Sequence, residues 1–474
     1  MSYRDQFFTV DKEFAQQELP CVSGTVPDWL QGTLVRNGPG SFAAGRSPLQ
    51  HWFDGLAMLH GFAFNQGRVT YTNKFLQSPA YIDGKKHGRN NYKMFYTEAD
   101  YSPLRAFIEW FRSPRVGNNT AVSVVQLGER YFAMTETSGL TAFDLGTLDT
   151  IETTSLTEGY DNIHGMLATP HPHYDFARRE LININISLGK DSEYRYYAAD
   201  AVTYKPRLIS SVKVDFPGYI HGFGLSENYI IHFEFPLVVF PLRMRFGNVP
   251  YIKCYKWKPE RGTNIRLINR ETGKVDNCIN TDPAFAFHFA NCYEEEGAVI
   301  VDVAVSDDAT VIEETAVANL SSDKDRPLSV NTSLYRYRIP LSGQSVERTE
   351  ISSQYLEMPT IDYRQRNTNA YRYVYGVGLN DNYNNDFNNQ LIKLDTNSGK
   401  HREWFLQDYY PSEPIFVPSP DRKEEDEGVL LSVVSTFGEN KSFLLICNAG
   451  DLSEIGRLEM PHNTPMGFHG QFLR

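Results

Sequence analysis

A chain of 474 residues, 41% hydrophobic and 22% charged, has the composition of a folded protein with a large core, at a length that closed β architectures reach within one domain. Its formal net charge of −12 leaves no basic face for phosphates and argues against a nucleic-acid partner. Five cysteines, Cys21, Cys254, Cys278, Cys292 and Cys447, contain no CxxC pair; this argues against a disulfide framework or zinc ribbon and suits a reducing compartment.

The opening MSYRDQFFTV lacks the basic and apolar regions of a signal peptide. No apolar run approaches the roughly 18 residues needed to span a bilayer, so a cytoplasmic location is expected. In chain order, a short helix is predicted over Asp11–Gln17 and a second over Ser102–Arg112 (SPLRAFIEWFR). Strands are predicted at Arg130–Thr135, Leu181–Leu188, Tyr229–Phe235, Ala298–Val305, Arg372–Gly378 and Val429–Ser435, each bounded by turn-forming residues. Many strands and few helices indicate a sandwich, barrel or propeller. No exact repeat is visible, so a propeller must be a diverged one. No linker divides the chain, and residues 1–474 read as a single domain. Asn380–Asn389 (NDNYNNDFNN) and Glu424–Glu427 read as solvated loops. Aromatics reach 13%, a signature of strands and of apolar pockets.

Two apolar segments invite a second reading. Leu104–Phe111 (LRAFIEWF) and Phe233–Phe246 (FEFPLVVFPLRMRF) would either pack on the core or touch a membrane surface, with Arg243 and Arg245 meeting anionic head groups.

A lone histidine is ordinarily structural, but four of the twelve stand in distinctive surroundings: His171 in TPHPHYD, His221 in FPGYIHGFG, His288 in FAFHFANCYEEEG and His469 in PMGFHGQFLR. They are too far apart for a helical HExxH site. Blades of a propeller would bring such separated residues to one central channel. Four imidazoles suit Zn, Cu, Fe or Ni, and softness alone does not choose. Carboxylates would then orient the rings through their outer N–H groups. Glu136 in AMTETSG, Glu357 in YLEMPT and Glu413 in PSEPIFVPSP have the apolar or proline-rich flanks of such residues.

These strings, with LQGTLVRNGPG, HWFDGLAMLHGF and GRVTYTNKF earlier in the chain, resemble in order the carotenoid cleavage oxygenase family. The resemblance covers almost the whole chain. It implies an all-β fold, a seven-bladed β-propeller with a helical or loop cap over the iron-containing face. It implies one Fe(2+) held by His171, His221, His288 and His469. Glu136, Glu357 and Glu413 would pair with His221, His288 and His469, leaving His171 without a carboxylate. His173 and His462 would not be ligands. By the same resemblance Thr120 would stand beside the iron, its methyl obstructing one position, and Phe287 would pack against a ligand ring. The implied activity is dioxygenase cleavage of a conjugated double bond in a carotenoid or apocarotenoid with O2, the 15,15′ bond preferred, giving retinal-type carbonyl products. Stilbene cleavage and retinoid isomerohydrolysis are alternatives on the same fold, and a metal-free binding propeller is a distant one. The absence of Cys within Asp100–Arg115 departs from vertebrate members and removes lipid attachment there. The chain is also shorter than animal members, which implies a compact form with reduced loops. Peripheral membrane contact is expected, and no obligate protein partner.

Overall fold

Short strands separated by turns leave both faces of each sheet to be covered, and stacking sheet against sheet around an axis satisfies that need. A computed structural model describes residues 2–110, 117–245, 248–321, 328, 330–343, 345–380, 382, 386–438 and 441–474. Seven antiparallel sheets of four to six strands follow one another along the chain, a seven-bladed β-propeller; two short two-stranded pieces lie beside them. All six predicted strands are present, at Arg130–Met134, Glu180–Ser187, Tyr229–Glu234, Ala298–Ser306, Tyr373–Gly378 and Gly428–Ser435.

We number the blades by their central strands. Blade 1 holds Gly32–Ser41 and Leu56–Asn65, blade 2 Arg130–Met134, and blade 3 Glu180–Ser187. Blade 4 holds Tyr229–Glu234, blade 5 Ala298–Ser306, blade 6 Tyr373–Gly378 and blade 7 Gly428–Ser435. The strands at one end of each sheet touch across blades. Gly470–Leu473 meets Ser123–Leu127 and Ile415–Pro418, and Phe289–Glu295 meets Gly224–Leu225 and Glu357–Thr360. These are the innermost strands, and they surround the axis.

Packing on both faces explains why several strands do not alternate. Every residue of Ala298–Ser306 is buried. In Glu180–Ser187, Ile182, Ile184 and Ile186 are buried on one face and Asn183 and Asn185 on the other. Both amides donate internally: Asn183 to the Thr169 carbonyl (3.0 Å), and Asn185 to the Ile163 carbonyl (3.0 Å).

The circle closes at both chain ends. Cys21–Gly24 pairs with Glu454–Glu459 at the rim of blade 7, while Gly470–Leu473 pairs with Gly32–Ser41 as the inner strand of blade 1. Asn37 fastens the second closure. Its amide donates to the Thr120 and Ser123 carbonyls (2.8 and 3.0 Å), and its backbone exchanges hydrogen bonds with His469 and Phe468 (2.9 Å each).

Several expectations are revised. Asp11–Gln17 is not helical; Phe14 and Gln16 instead donate their backbone N–H groups to Asn73 and Thr72 (2.7 and 3.0 Å), an extended path along blade 1 that ends in the strand Gln17–Glu18. The second helix is Pro103–Trp110; Phe111 and Arg112 lie outside the described residues. Most of the segment from Phe233 is core: Phe233, Phe235, Leu237, Val238 and Val239 are buried, and only around Pro241–Arg245 does it reach solvent. Phe246 and the Arg245 side chain lie outside the described residues. The asparagine-rich segment is not simply solvated, since Asn380, Asn388 and Asn389 are buried; residues 381 and 383–385 lie outside the described set. In the acidic stretch, Glu425 is half-buried and accepts from the Arg372 and Tyr373 amides (2.9 and 2.8 Å). All five cysteines are free.

Asn37→Leu would leave two buried carbonyls without a partner, at a cost of about 1–3 kcal/mol each. We expect a lower midpoint in a denaturation experiment followed by circular dichroism; an unchanged midpoint would contradict the fastening role.

Candidate metal centre

The inner ends of the blades supply the site. His171 precedes the blade 3 strand His173–Asp175, and His221 precedes Gly224–Leu225 of blade 4. His288 precedes Phe289–Glu295 of blade 5, and His469 precedes Gly470–Leu473 of blade 1. The other three blades supply the carboxylates. Glu136 follows Arg130–Met134 of blade 2, Glu357 opens the blade 6 strand Glu357–Thr360, and Glu413 precedes Ile415–Pro418 of blade 7. Each blade contributes one residue.

The four histidines meet. Their candidate ligand atoms all lie within 4.8 Å of one another. The Nε2 atoms of His171 and His221 are 3.1 Å apart, as are those of His288 and His469. Two nitrogens each about 2.1 Å from one ion stand about 3.0–3.4 Å apart at octahedral to tetrahedral angles, so the spacing fits a shared cation.

Outer hydrogen bonds decide which nitrogens face inward. His221 Nδ1 meets Glu136 Oε1 at 2.7 Å, His288 Nδ1 meets Glu357 Oε2 at 2.5 Å, and His469 Nδ1 meets Glu413 Oε1 at 2.8 Å. A ring that donates Nδ1–H to a carboxylate presents the Nε2 lone pair on its other side. These lone pairs face one another, an arrangement that repels unless a cation sits between them. The donor set therefore fits a metal ion.

The three carboxylates differ in electrostatics. Burial pushes Glu136 up to about 8, against the hydrogen bond it accepts from the Tyr219 hydroxyl. Burial also acts to raise Glu413, but His469, Arg36 and the Gly470 amide together outweigh it and hold the carboxyl below its ordinary range. Arg36 lies 2.9 Å from Glu413 Oε2 and is itself buried. Glu357 accepts a second hydrogen bond, from the Met358 amide (2.9 Å). Burial, and then the neighbouring imidazoles, lower His171 and His221 well below the usual histidine range. Both effects favour neutral rings, the form that binds metal.

The remaining named residues separate clearly. His173 is spoken for by the Phe223 carbonyl (2.9 Å) and the Tyr363 hydroxyl (3.1 Å), and His462 by the Asn463 carbonyl (2.8 Å) and Tyr71 (2.9 Å). Neither joins the group. Phe287 packs edge-on against His221 with ring centroids 5.0 Å apart. Thr120 does not take the place expected of it. It is fully buried, its hydroxyl donates to Thr141 (2.8 Å), and its carbonyl is held by Asn37. The side chain from this stretch that lines the cavity beside the histidines is Val122, whose carbonyl accepts from the His469 amide (3.1 Å).

The family model described as retinal pigment epithelial membrane protein matches residues 7–474. This chain belongs to the carotenoid cleavage oxygenase family. The β,β-carotene 15,15′-dioxygenase of Mus musculus is 32% identical over 95% of this chain and 88% of its own. The mitochondrial carotenoid-cleaving dioxygenase of Mustela putorius furo is also 32% identical, over 95% and 93%. Among solved structures, cobalt-substituted Synechocystis ACO aligns over 100% of this chain and 99% of its own, with 26% identity and a TM-score of 0.87.

In this family member two cavities meet at the histidines. One is lined by His221, His288 and His469 together with Trp52, Phe53, Val122, Phe287, Phe387 and Phe468, among others. Its wall is mostly aromatic and aliphatic. The other meets His171, His288 and His469 and carries more polar groups, among them Gln126, His173, Asp362, Arg364, Asn367 and Arg474. Sequence reasoning did not find Val122, Phe53, Tyr219 or Arg36. Arg36, Phe53 and Tyr219 lie inside quoted motifs, LQGTLVRNGPG, HWFDGLAMLHGF and FPGYIHGFG, and no motif says what they touch.

His288→Ala is expected to reduce bound metal to a small fraction of that held by the unaltered chain, whereas His173→Ala should leave it in place. Glu413→Gln should weaken iron binding by about ten- to a hundredfold. Metal analysis after dialysis against graded free iron reads all three; full occupancy in His288→Ala would refute the assignment.

Proposed function

We propose that this chain is a non-haem iron(II) dioxygenase that cleaves a conjugated double bond of a carotenoid or apocarotenoid with O2, the 15,15′ bond preferred. The observation that carries this reading is the four-imidazole group opening onto an aromatic, aliphatic cavity. Relatives named as a 15,15′-dioxygenase, as a carotenoid-cleaving dioxygenase and, in Galleria mellonella, as a carotenoid isomerooxygenase support it. A cobalt-substituted structural neighbour supports a metal-binding role for this site.

His171, His221, His288 and His469 would hold iron(II), which when bound would supply the binding and activation of O2. The balance is simple: one carbon–carbon double bond breaks, two carbonyl bonds form, and each carbonyl takes one oxygen atom. No proton changes hands, so no acid–base pair is needed. The work of this chain is placement and exclusion. Phe53 contacts Phe95, Phe287 and Phe468 with ring centroids 5.1, 5.6 and 5.2 Å apart, and forms with them an apolar wall beside His221. Such a wall holds a polyene by dispersion and keeps water from the reacting bond. Trp52 is fixed by its Nε1–H on the Met466 carbonyl (2.9 Å), and the Thr315 hydroxyl is used on the Val311 carbonyl (2.8 Å), so neither presents a free polar group to the substrate. Glu136, Glu357 and Glu413 orient the imidazoles. Phe287 positions His221 and the substrate.

No described helix is long and apolar enough to cross a membrane. We place the chain in the cytoplasm, docked on a membrane surface through Pro103–Trp110. Leu104 and Phe107 are 71% and 65% exposed there. Leu242, 69% exposed, belongs to a neighbouring element: Ala99 and Asn248 link the two segments by hydrogen bonds of 3.2 and 2.6 Å. Arg243, also exposed, would meet anionic head groups.

Incubation of the iron-loaded chain with apocarotenals of several lengths under ¹⁸O₂ should give two carbonyl products, each carrying one labelled atom when back-exchange is suppressed. Hydrolysed or isomerised products without label would refute the dioxygenase reading. Leu104→Ser with Phe107→Ser should lower co-sedimentation with anionic vesicles several-fold while leaving iron content unchanged; undiminished vesicle binding would dismiss the docking surface.

A further inference from the structure

The three carboxylates behind the histidines stand in different environments. Glu136 receives the Tyr219 hydroxyl on Oε1, and its Oε2 is buried without a partner. Glu357 receives the Met358 amide on Oε2 (2.9 Å). Among the described residues, neither of these two pairs with a lysine or an arginine. Glu413 does face a cation. Its Oε1 accepts from His469 Nδ1 (2.8 Å), while its Oε2 accepts from Arg36 and from the Gly470 amide (2.9 Å each).

Arg36 is 3% exposed and enters this corner from the blade 1 strand Gly32–Ser41. It also donates to the Glu413 carbonyl (3.2 Å) and to the carbonyl of Phe468, the residue before the ligand. Salt screens a buried charge of this kind very little. A guanidinium keeps its charge on burial, where a lysine ammonium gives up its proton more readily. One fixed positive charge therefore stands behind one metal-facing ring, with a single carboxylate between them.

Two consequences follow for iron in the site. Oxidation from iron(II) to iron(III) adds a positive charge to a buried group, and a nearby fixed cation opposes that addition. A carboxylate that accepts Nδ1–H raises the basicity of its imidazole. Arg36 draws on the same carboxylate and weakens that push, and a less basic ligand favours the lower oxidation state. Both effects act in one direction.

We propose that Arg36 is a positioning residue that keeps the iron ferrous, raising the reduction potential of the centre through Glu413 and His469. The proposal rests on the iron reading above and adds a control of oxidation state to it. The step it opposes is transfer of one electron from iron(II) to O2 in the absence of substrate, which leaves iron(III) and superoxide. The Glu413–His469 branch exerts this control, because Glu136 and Glu357 lack the cation.

The test is an anaerobic potentiometric titration of the full iron-loaded chain without substrate, at alkaline pH, where an unpaired Glu413 is ionised. Arg36→Gln keeps a hydrogen-bond donor and removes the charge. It should move the ferrous–ferric balance toward ferric by about tenfold, a midpoint about 59 mV lower. Arg36→Lys keeps the charge and should stay near the unaltered chain. Adding Glu413→Gln to Arg36→Gln removes the unpaired anion and should return the midpoint toward the unaltered value. Zinc content, measured in parallel, reports whether each variant still forms the site, since zinc has no redox chemistry. An unchanged or higher midpoint in Arg36→Gln, a midpoint in Arg36→Lys as low as in Arg36→Gln, or a double variant lower than the single one would each overturn the proposal. Should Arg36→Gln not fold, Arg36→Lys decides: a midpoint near the unaltered chain supports the role of charge, and a lowered one overturns it. Failure of the unaltered chain to take up iron is a different result and would sink the iron reading itself.

Discussion

Inward-facing imidazole lone pairs, held there by carboxylates behind the rings, form the constraint on which the rest of this structure depends. Three of the four rings are held by a glutamate at Nδ1, within 2.5–2.8 Å. Each such bond fixes a tautomer and an angle at once. The His288 and His469 Nε2 atoms at 3.1 Å are unfavourable for neutral rings alone and favourable around a cation. Burial strengthens the effect, because desolvation discourages the alternative of protonating the rings.

The propeller is the device that makes this constraint affordable. Every blade places one residue at the axis, four imidazoles and three carboxylates, so no single loop has to carry several functional side chains. The closure of the circle and the completion of the site are coupled. His469 lies immediately before the strand Gly470–Leu473 that completes blade 1, and Asn37 ties that strand to the stretch holding Val122 and Ser123. Glu413 ties the same corner to blade 7 through Arg36 and the Gly470 amide (2.9 Å). A chain that fails to close loses a ligand.

Around the centre, polarity is sorted by direction. The aromatic cavity meets three of the rings, and the more polar cavity meets His171 with two of the same rings. A polyene has little to offer polar groups, so an apolar wall with its hydrogen-bonding groups already used is the economical lining. Trp52 and Thr315 follow that rule.

The sequence by itself determined the strand-rich class, since short β-prone runs punctuated by turns depend on local chemistry. Through the ordered motifs it also singled out His171, His221, His288 and His469, with Glu136, Glu357 and Glu413, whose Gly, Pro and aromatic flanks are local features. Tertiary structure decided what depends on distant neighbours. Asp11–Gln17 has helical spacing but runs extended, because blade 1 offers its backbone partners at Thr72 and Asn73. Phe233–Phe246 suits either the core or a membrane surface by its composition, and packing decided for the core over its first half. Thr120 and Val122 are two residues apart in one short stretch, and only the grip of Asn37 and Thr141 on Thr120 shows that Val122 is the one lining the cavity. Periodicity reports which residues are apolar; which of them face the metal is set by contacts hundreds of residues away, and no local pattern encodes those.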